Sequence, residues 1–418
     1  MRYALLATLL ASLLVAGGVA GLHAQGVSFP EGLAIGDVTP DAAIVWTRTA
    51  GPAEVRVEYA TDPGLASVRN AGPVQTGPDA DFTARVEVTG LQPGQRYHVR
   101  VATGTTRGPA GTFVTPPAPD RDAPLSLVWG ADTLEGYKPF RIFQAMRGRN
   151  TDVFLYLGDT IYSDFGAVRA TTLDQYRQKY RDNRDDQHLK AYLATVASWV
   201  VWDDHEVANN FAGNHPRLAT GLRAFLEYWP IRILPEQPRR LYRSFRWGRT
   251  VEVFILDTRQ YRSPARLRDG PEKTMLGRTQ KQWLLDGLRR STASVKIVAS
   301  SVPLRYHTTD SWEGYASERE EILRFIREQR IQNVVVLVAD VHYAALLRHP
   351  EGPYEAIAGP LAAFAAGVPR VLEKPGALWA NAGRLNYGWL RVVGEQIVLG
   401  WYDDRNAVLF ETRIPIER

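Results

Sequence analysis

Among the 418 residues there is no cysteine. That excludes a thiol nucleophile, thiolate metal ligands and disulfides, so stability has to come from core burial, with a bound metal the other source open to a chain without disulfides. Internal repeats and low-complexity tracts are missing too, and no basic residues gather into one patch. The formal charge of +5 is mostly arginine scattered along the chain, which suits an anionic substrate but offers no nucleic-acid-binding face. Long apolar runs are confined to the start of the chain. There Arg2 precedes an apolar stretch from Ala4 to Val19, and Leu22-His23-Ala24 closes a small-residue segment. This is the layout of a secretory signal peptide. Gly17, Gly18 and Gly21 interrupt the run and ordinary soluble sequence follows, so the expectation is a leader over residues 1–24 that is cleaved rather than kept as an anchor. A secreted or periplasmic monomer with no membrane-spanning segment after cleavage is therefore expected.

What is present is ordinary globular composition, 45% hydrophobic and 23% charged, with length enough for two cores. From residue 27 to 115, short alternating runs (Ala42 to Thr47, Glu54 to Tyr59, Ala84 to Val88, Tyr97 to Ala102) are separated by Gly, Pro and Asp. Such spacing predicts a small antiparallel β-sandwich. The piece Leu91 to Tyr97 resembles a fibronectin-type turn and its following strand, so this domain reads as all-β and fibronectin-type-III-like. Residues 116–122, Pro-Pro-Ala-Pro-Asp-Arg-Asp, form a linker. From residue 123 to 418, apolar runs alternate with amphipathic segments of helical period such as Thr279 to Arg290 and Ser317 to Gln329, predicting an α/β layered domain. The stretch Asn386 to Pro415 returns to strands, with a turn near Asp403 to Asn406, and is expected to complete a sheet with antiparallel strands.

Four predicted strands of this second domain end in acids or histidine. They are Leu125 to Gly130 before Asp132, Val153 to Gly158 before Asp159, Trp199 to Trp202 before Asp203-Asp204-His205, and Val334 to Ala339 before Asp340-Val341-His342. Sites in α/β folds lie at the carboxyl ends of strands, so these groups converge on one cleft. Oxygen and imidazole donors without thiolates are what hard to borderline metal ions need. Taken alone, Asp132 also reads as a turn or helix cap. Gly158 permits a tight turn that projects Asp159, a carboxylate able to bridge two metals, with Tyr162 returning to the same side. In Asp203-Asp204-His205-Glu206, one acid can ligate metal, His205 can reach a phosphate oxygen and the other acids can orient the ligands. Arg259 and Arg262 follow the strand Val251 to Leu256 and can grip a phosphate oxygen with a guanidinium fork, or else pair with Asp257 or other acids. Asn209 and Asn210 read either as substrate-orienting or as turn residues. Trp312, Tyr315, Tyr306 and Trp379 line the approach or serve packing.

Five segments, in this order, carry a resemblance: Leu157-Gly158-Asp159-Thr160-Ile161-Tyr162, Val201-Trp202-Asp203-Asp204-His205-Glu206-Val207, Leu256-Asp257-Thr258-Arg259-Gln260-Tyr261-Arg262, Met275-Leu276-Gly277 with Gln280 and Trp283-Leu284, and Ala339-Asp340-Val341-His342. From about Phe29 onward the chain resembles the PhoD-like alkaline phosphatases, within the calcineurin-like metallophosphoesterases. The resemblance implies a layered metallophosphoesterase sandwich holding two metal ions, drawn from Fe, Ca, Mn, Zn and Mg, with iron and calcium foremost. Asp159 would bridge them, with Asp132, Tyr162 and His342 around one and Asp204 and Asp340 around the other. His205 would serve the transition state of phosphate monoester or diester hydrolysis, on a small or polymeric substrate, with water as nucleophile.

Two departures stand out. Many such enzymes carry cysteine at the end of the first catalytic strand, where this chain has Gly130-Ala131-Asp132, so a carboxylate is expected to replace the thiolate. Broader relatives supply a histidine after the strand Val295 to Ala299, where this chain has Ser300-Ser301-Val302, leaving that place to water or another residue. A reading from another class is a secreted binding or scaffold protein with a structural or inactive metal site. An open coordination position would distinguish the two.

Overall fold

The computed structural model describes residues 27–305, 308–350, 352–367, 373 and 375–417; the leader expected over 1–24 and Tyr306 lie outside them. Alternating apolar residues build seven strands near the start, β1 (Leu33–Gly36), β2 (Ala42–Arg48), β3 (Ala53–Ala60), β4 (Arg69–Thr76), β5 (Thr83–Thr89), β6 (Arg96–Thr103) and β7 (Thr106–Val114). One sheet has the order β4-β3-β6-β7, and it packs on β1, β2 and β5 through a core that includes Val45, Val55, Val86, Val99 and Phe113. The Tyr97 hydroxyl accepts the Gln92 amide at 2.9 Å, fixing the turn that leads into β6.

Strands and helices then alternate: β8 (Leu125–Gly130), α1 (Arg141–Arg147), β9 (Val153–Tyr156), α2 (Leu173–Arg184), α3 (Gln187–Leu193), β10 (Ala197–Val200), α4 (Leu218–Tyr228), β11 (Arg243–Trp247), β12 (Val251–Ile255), α5 (Gly277–Arg290), β13 (Val295–Ser300), α6 (Ala316–Glu328) and β14 (Val334–Val338). The chain finishes in strands, β15 (Ala344–Arg348), β16 (Tyr354–Ile357), β17 (Ala377–Asn381), β18 (Asn386–Val393), β19 (Gln396–Asp403) and β20 (Val408–Pro415). β18 pairs antiparallel with β8, so the C-terminal strands do complete a sheet.

Two large sheets face each other. One has nine strands in the order β20-β19-β18-β8-β9-β10-β1-β2-β5, and the other seven in the order β11-β12-β13-β14-β16-β15-β17. Strand alternation explains the layering. Val253, Ile255, Ile297 and Leu337 point into the core between the sheets, while Phe254, Val298, Val336 and Val338 point outward onto Leu284 and Leu288 of α5 and Ile322 and Ile326 of α6. On the far side of the nine-stranded sheet, Phe143 of α1 and Tyr176 and Tyr180 of α2 cover β9 and its neighbours. The result is a helix–sheet–sheet–helix sandwich.

The nine-stranded sheet crosses from one half of the chain to the other. β1 runs parallel to β10, with Gly36 opposite Ser198, and the Asp37 amide and the Ser198 hydroxyl add hydrogen bonds across the junction. Behind it, Asp81 binds Arg48 at 3.4 Å, Arg181 at 2.5 Å and the Tyr228 hydroxyl, tying the segment before β5 to α2 and α4.

Candidate metal centre

β8, β9 and β10 are neighbouring parallel strands, as are β12, β13 and β14 in the facing sheet. Their carboxyl ends therefore open on the same edge of the sandwich, where the turns must bend sharply to aim side chains inward. Asp132, Asp159, Asp340 and His342 all adopt left-handed backbone, with φ of 71°, 48°, 71° and 58°. Non-glycine residues hold this conformation at a cost and cluster where a site over-determines them. Gly158, at φ 102°, makes room for the turn, since a Cβ there would stand 2.4 Å from the Cβ and amide nitrogen of Asp203.

Three groups of ligand atoms result, each with members within 4.8 Å of one another: Asp132, Asp159 and His342; Asp159, Asp204 and His205; and Asp203, Asp204 and Asp340. Asp159 belongs to the first two and Asp204 to the last two. The Tyr162 hydroxyl lies 3.1 Å from His342 Nε2, at the first group, and His342 Nδ1 is held at 2.5 Å by the Phe364 carbonyl. All the metal-ligating residues expected from the sequence are thus brought together.

The electrostatics are those of a crowded anionic pocket. Burial, followed by the charges of Asp204, Asp203 and Asp132, pushes the Asp159 carboxyl well above the usual range, and burial lifts Asp132 to about 6. Asp204 moves the other way, because Arg259 and His205 outweigh its burial. Among the described residues, neither carboxylate oxygen of Asp132 nor Oδ1 of Asp204 finds a hydrogen-bond partner; His342 Nε2 stands 3.6 Å from Asp132 Oδ1, and Arg259 Nη2 stands 3.6 Å from Asp204 Oδ1. Buried carboxylates without donors are costly, so this donor set fits cations and is poorly explained without them.

His205 is braced by Asp164, which sequence reasoning did not single out, together with Tyr162 and Asp159, which it did. Its Nδ1 lies 2.6 Å from Asp164 Oδ1, its ring stacks on Tyr162 with centroids 4.3 Å apart, and its amide donates to Asp159 Oδ1 at 3.1 Å. Burial works against the imidazolium, but Asp204 and Asp164 outweigh it and raise the His205 pKa to about 9. Glu206, fully buried, accepts the amides of Asp159, Thr160 and Asp203 and the Thr160 hydroxyl, at 2.6 to 3.1 Å. It cross-ties the turns after β9 and β10, giving a definite form to the orienting role expected of the spare acids.

Other expectations need correction. The Arg259 guanidinium does not present a free fork to a phosphate. It is wholly buried, bonded through Nε and Nη2 to Asp203 and through Nη1 to Asp310 at 2.7 Å. Arg262 likewise binds the Phe211 carbonyl and Asp310. Asp257, the partner considered for both, instead closes its own turn by accepting the amides of Arg259 and Gln260 and the Trp202 indole. Asp310, on a loop far along the chain, carried no local signal. After β13, the Ser301 hydroxyl donates to Asp203 at 2.6 Å, and the adjoining Arg259 Nη2 lies 3.6 Å from Asp204 and Asp340. A guanidinium thus stands beside the position left without histidine. The main-chain amides of Asn209 and Asn210 bind Asp164 and Asp204. Trp312 and Tyr315 are buried, and the half-buried Trp379 packs on Trp401 and Phe410 at the edge of the core, so these rings serve packing.

A two-sheet α/β sandwich with carboxylates and histidines gathered at its strand ends defines a calcineurin-like metallophosphoesterase. The purple acid phosphatase from yellow lupin (Lupinus luteus) seeds shares this fold, with a TM-score of 0.65 at 14% identity over 92% of this chain and 74% of that one. More specifically, the model of the PhoD-like phosphatases matches residues 127–367 and that of their N-terminal domain matches residues 18–117. The chain belongs to the PhoD-like phosphatase family. It is 32% identical over 376 residues to alkaline phosphatase D of Bacillus subtilis (strain 168), an alignment covering 75% of this chain and 64% of that protein. The chain thus spans just under two thirds of that relative's length. The solved structure of PhoD superposes with a TM-score of 0.85 at 25% identity, covering 94% of this chain and 93% of that one.

Proposed function

We propose that this chain hydrolyses phosphate esters, monoesters or diesters, with two metal ions held in the strand-end cleft and water as nucleophile. The observation that carries the reading is the sharing of Asp159 between two ligand groups whose neighbouring carboxylates, Asp132 and Asp204, keep buried oxygens without hydrogen-bond donors. Asp132, Asp159, Tyr162 and His342 would hold one ion, and Asp159, Asp204 and Asp340 the other. Such ions, when bound, supply Lewis-acid polarisation of phosphoryl oxygens and a more acidic water.

The chain's own groups do the rest. Asp164 fixes the Nδ1 proton of His205, which leaves Nε2 to hold a second proton and deliver it to the leaving ester oxygen. Glu206 keeps the two ligand turns in register, and Arg259 acts as a positioning residue that balances Asp203 and the acids beside it. The alkaline phosphatase D of Bacillus subtilis supports phosphate esters as the substrate class. The N-terminal pattern of residues 1–24 supports action outside the cytoplasm, and among the described residues no helix is long and apolar enough to cross a membrane.

The test joins elemental analysis of the purified protein to turnover of bis-p-nitrophenyl and p-nitrophenyl phosphate, before and after chelation and metal restoration. Two metal equivalents with hydrolysis lost on chelation and regained on restoration are expected. Turnover indifferent to chelation would rule the mechanism out. Mass measurement of the exported protein checks cleavage near Ala24.

A further inference from the structure

Among the described residues, large apolar side chains are mostly buried, yet two phenylalanines stand half in solvent beside the candidate metal centre, Phe165 at 49% and Phe364 at 47% exposure. Both lie edge-on to Tyr162, with ring centroids 6.4 and 6.5 Å away. Phe364 also sits 4.3 Å from the His342 ring, tilted by 34°. Tyr162 in turn stacks on His205. An unbroken set of rings therefore runs from open solvent to the imidazole assigned to the leaving oxygen. Solvent reaches the cleft at His205 itself, whose side chain retains 16% exposure, and at Asp340, with 20%, while Asp132 has none.

Exposed phenyl rings gain nothing from a phosphoryl group or from a small polar alcohol. They do gain from a flat apolar group that covers them, through area removed from water and through offset or edge-on ring contacts. Neither ring is needed to orient the ligands, since it is the main-chain carbonyl of Phe364 that holds His342 and the main-chain carbonyl of Phe165 that binds Lys179. We infer that Phe165 and Phe364 are specificity-determining residues that select phosphate esters carrying a planar, apolar substituent on the ester group. This rests on the phosphate-ester reading above and adds the chemical character of the substrate.

The experiment compares two ligands of equal charge that are not hydrolysed, phenylphosphonate and methylphosphonate, titrated into the metal-loaded protein by calorimetry. The native protein is expected to prefer phenylphosphonate. Phe165→Ala and Phe364→Ala should each erode that preference by about two- to tenfold, the range of a single aromatic pair. Phe364→Leu, which keeps apolar bulk against His342 but removes the flat face, should erode it too. An unchanged preference in the variants, or equal weakening of both ligands, would overturn the inference while leaving hydrolysis intact. Failure of the native protein to bind either phosphonate, together with no chelator-sensitive turnover, would instead count against the phosphoesterase reading itself.

Discussion

Asp159 Oδ1 accepts the main-chain N–H of His205 at 3.1 Å, so the carboxylate proposed to bridge the metals also pins the loop that presents the imidazole. Asn at this position keeps an oxygen for that hydrogen bond and removes only the charge. Asp159→Asn should therefore stay folded, lose metal at both positions, and lose turnover on the order of a thousandfold, as the loss of several kcal/mol of charge stabilisation implies. Metal content by elemental analysis beside kcat checks this. A variant with full metal and full turnover would remove Asp159 from its assigned place.

Together with Asp204, Asp164 holds the charge of His205. The anion favours the protonated imidazole, so removing it must lower the His205 pKa from about 9. If imidazolium protonates the leaving oxygen, activity falls as pH rises through that pKa. Asp164→Asn should then move the alkaline limb of the kcat profile to lower pH and reduce kcat at its optimum about ten- to a hundredfold. A limb that stays put would show that the proton comes from elsewhere.

Gly158→Ala meets two penalties at once. Its φ of 102° is unfavourable for any side chain, and the new Cβ would stand 2.4 Å from the Asp203 backbone. A loss of about 3–5 kcal/mol in unfolding free energy is expected. Gly104, with φ 53° and nothing within 4 Å, is the control, and Gly104→Ala should cost about 1–2 kcal/mol. Urea unfolding of the two variants decides between crowding and backbone strain as the main cause.

Asp81 is buried, and although burial raises its pKa, the Tyr228 hydroxyl and the guanidinium groups of Arg48 and Arg181 outweigh it and hold the carboxyl below its ordinary 3.8. A depressed carboxyl contributes stability that is full above the ordinary value and is lost as pH falls through the folded one. Asp81→Asn should be less stable than the native protein by about 1–3 kcal/mol at pH 7. That gap should close in acid below the ordinary value. A gap independent of pH would mean the residue works through packing.

Much of this was legible from residue order, and for physical reasons. Strands buried on both faces, such as Val334–Val338, read as continuous apolar runs, and the acids directly after them announced the cleft. α5 and α6 showed their helical period because each buries one stripe. β4 and β7 did not stand out. Both are edge strands of the four-stranded sheet, β4 mostly exposed and β7 mostly half-buried, and broken by Gly72-Pro73 and Gly108-Pro109, so neither needs an alternating pattern. In the site, the acids and histidines at strand ends were visible, as was an orienting role for the acids beside them, but the supports from distant loops were not. Asp164, Asp310 and the Phe364 carbonyl reach the cleft from loops, and only tertiary folding brings them there. For Arg259 the sequence left two readings open, because a guanidinium shortly past a strand looks the same whether it faces substrate or is locked among carboxylates, as it is here.

The pairing of β1 with β10 alters what the proline-rich linker separates. Composition marks a seam near residue 116, but the hydrogen-bonded sheet runs uninterrupted past it, and β10 is the strand that leads to His205. The front module is therefore a flank of the sheet beneath the proposed site rather than a passenger on a tether. Replacing it with another β-domain would demand a matching strand edge as well as a joining peptide, and leaving it out would strip β10 of its neighbour and bare an edge ready to pair with other chains.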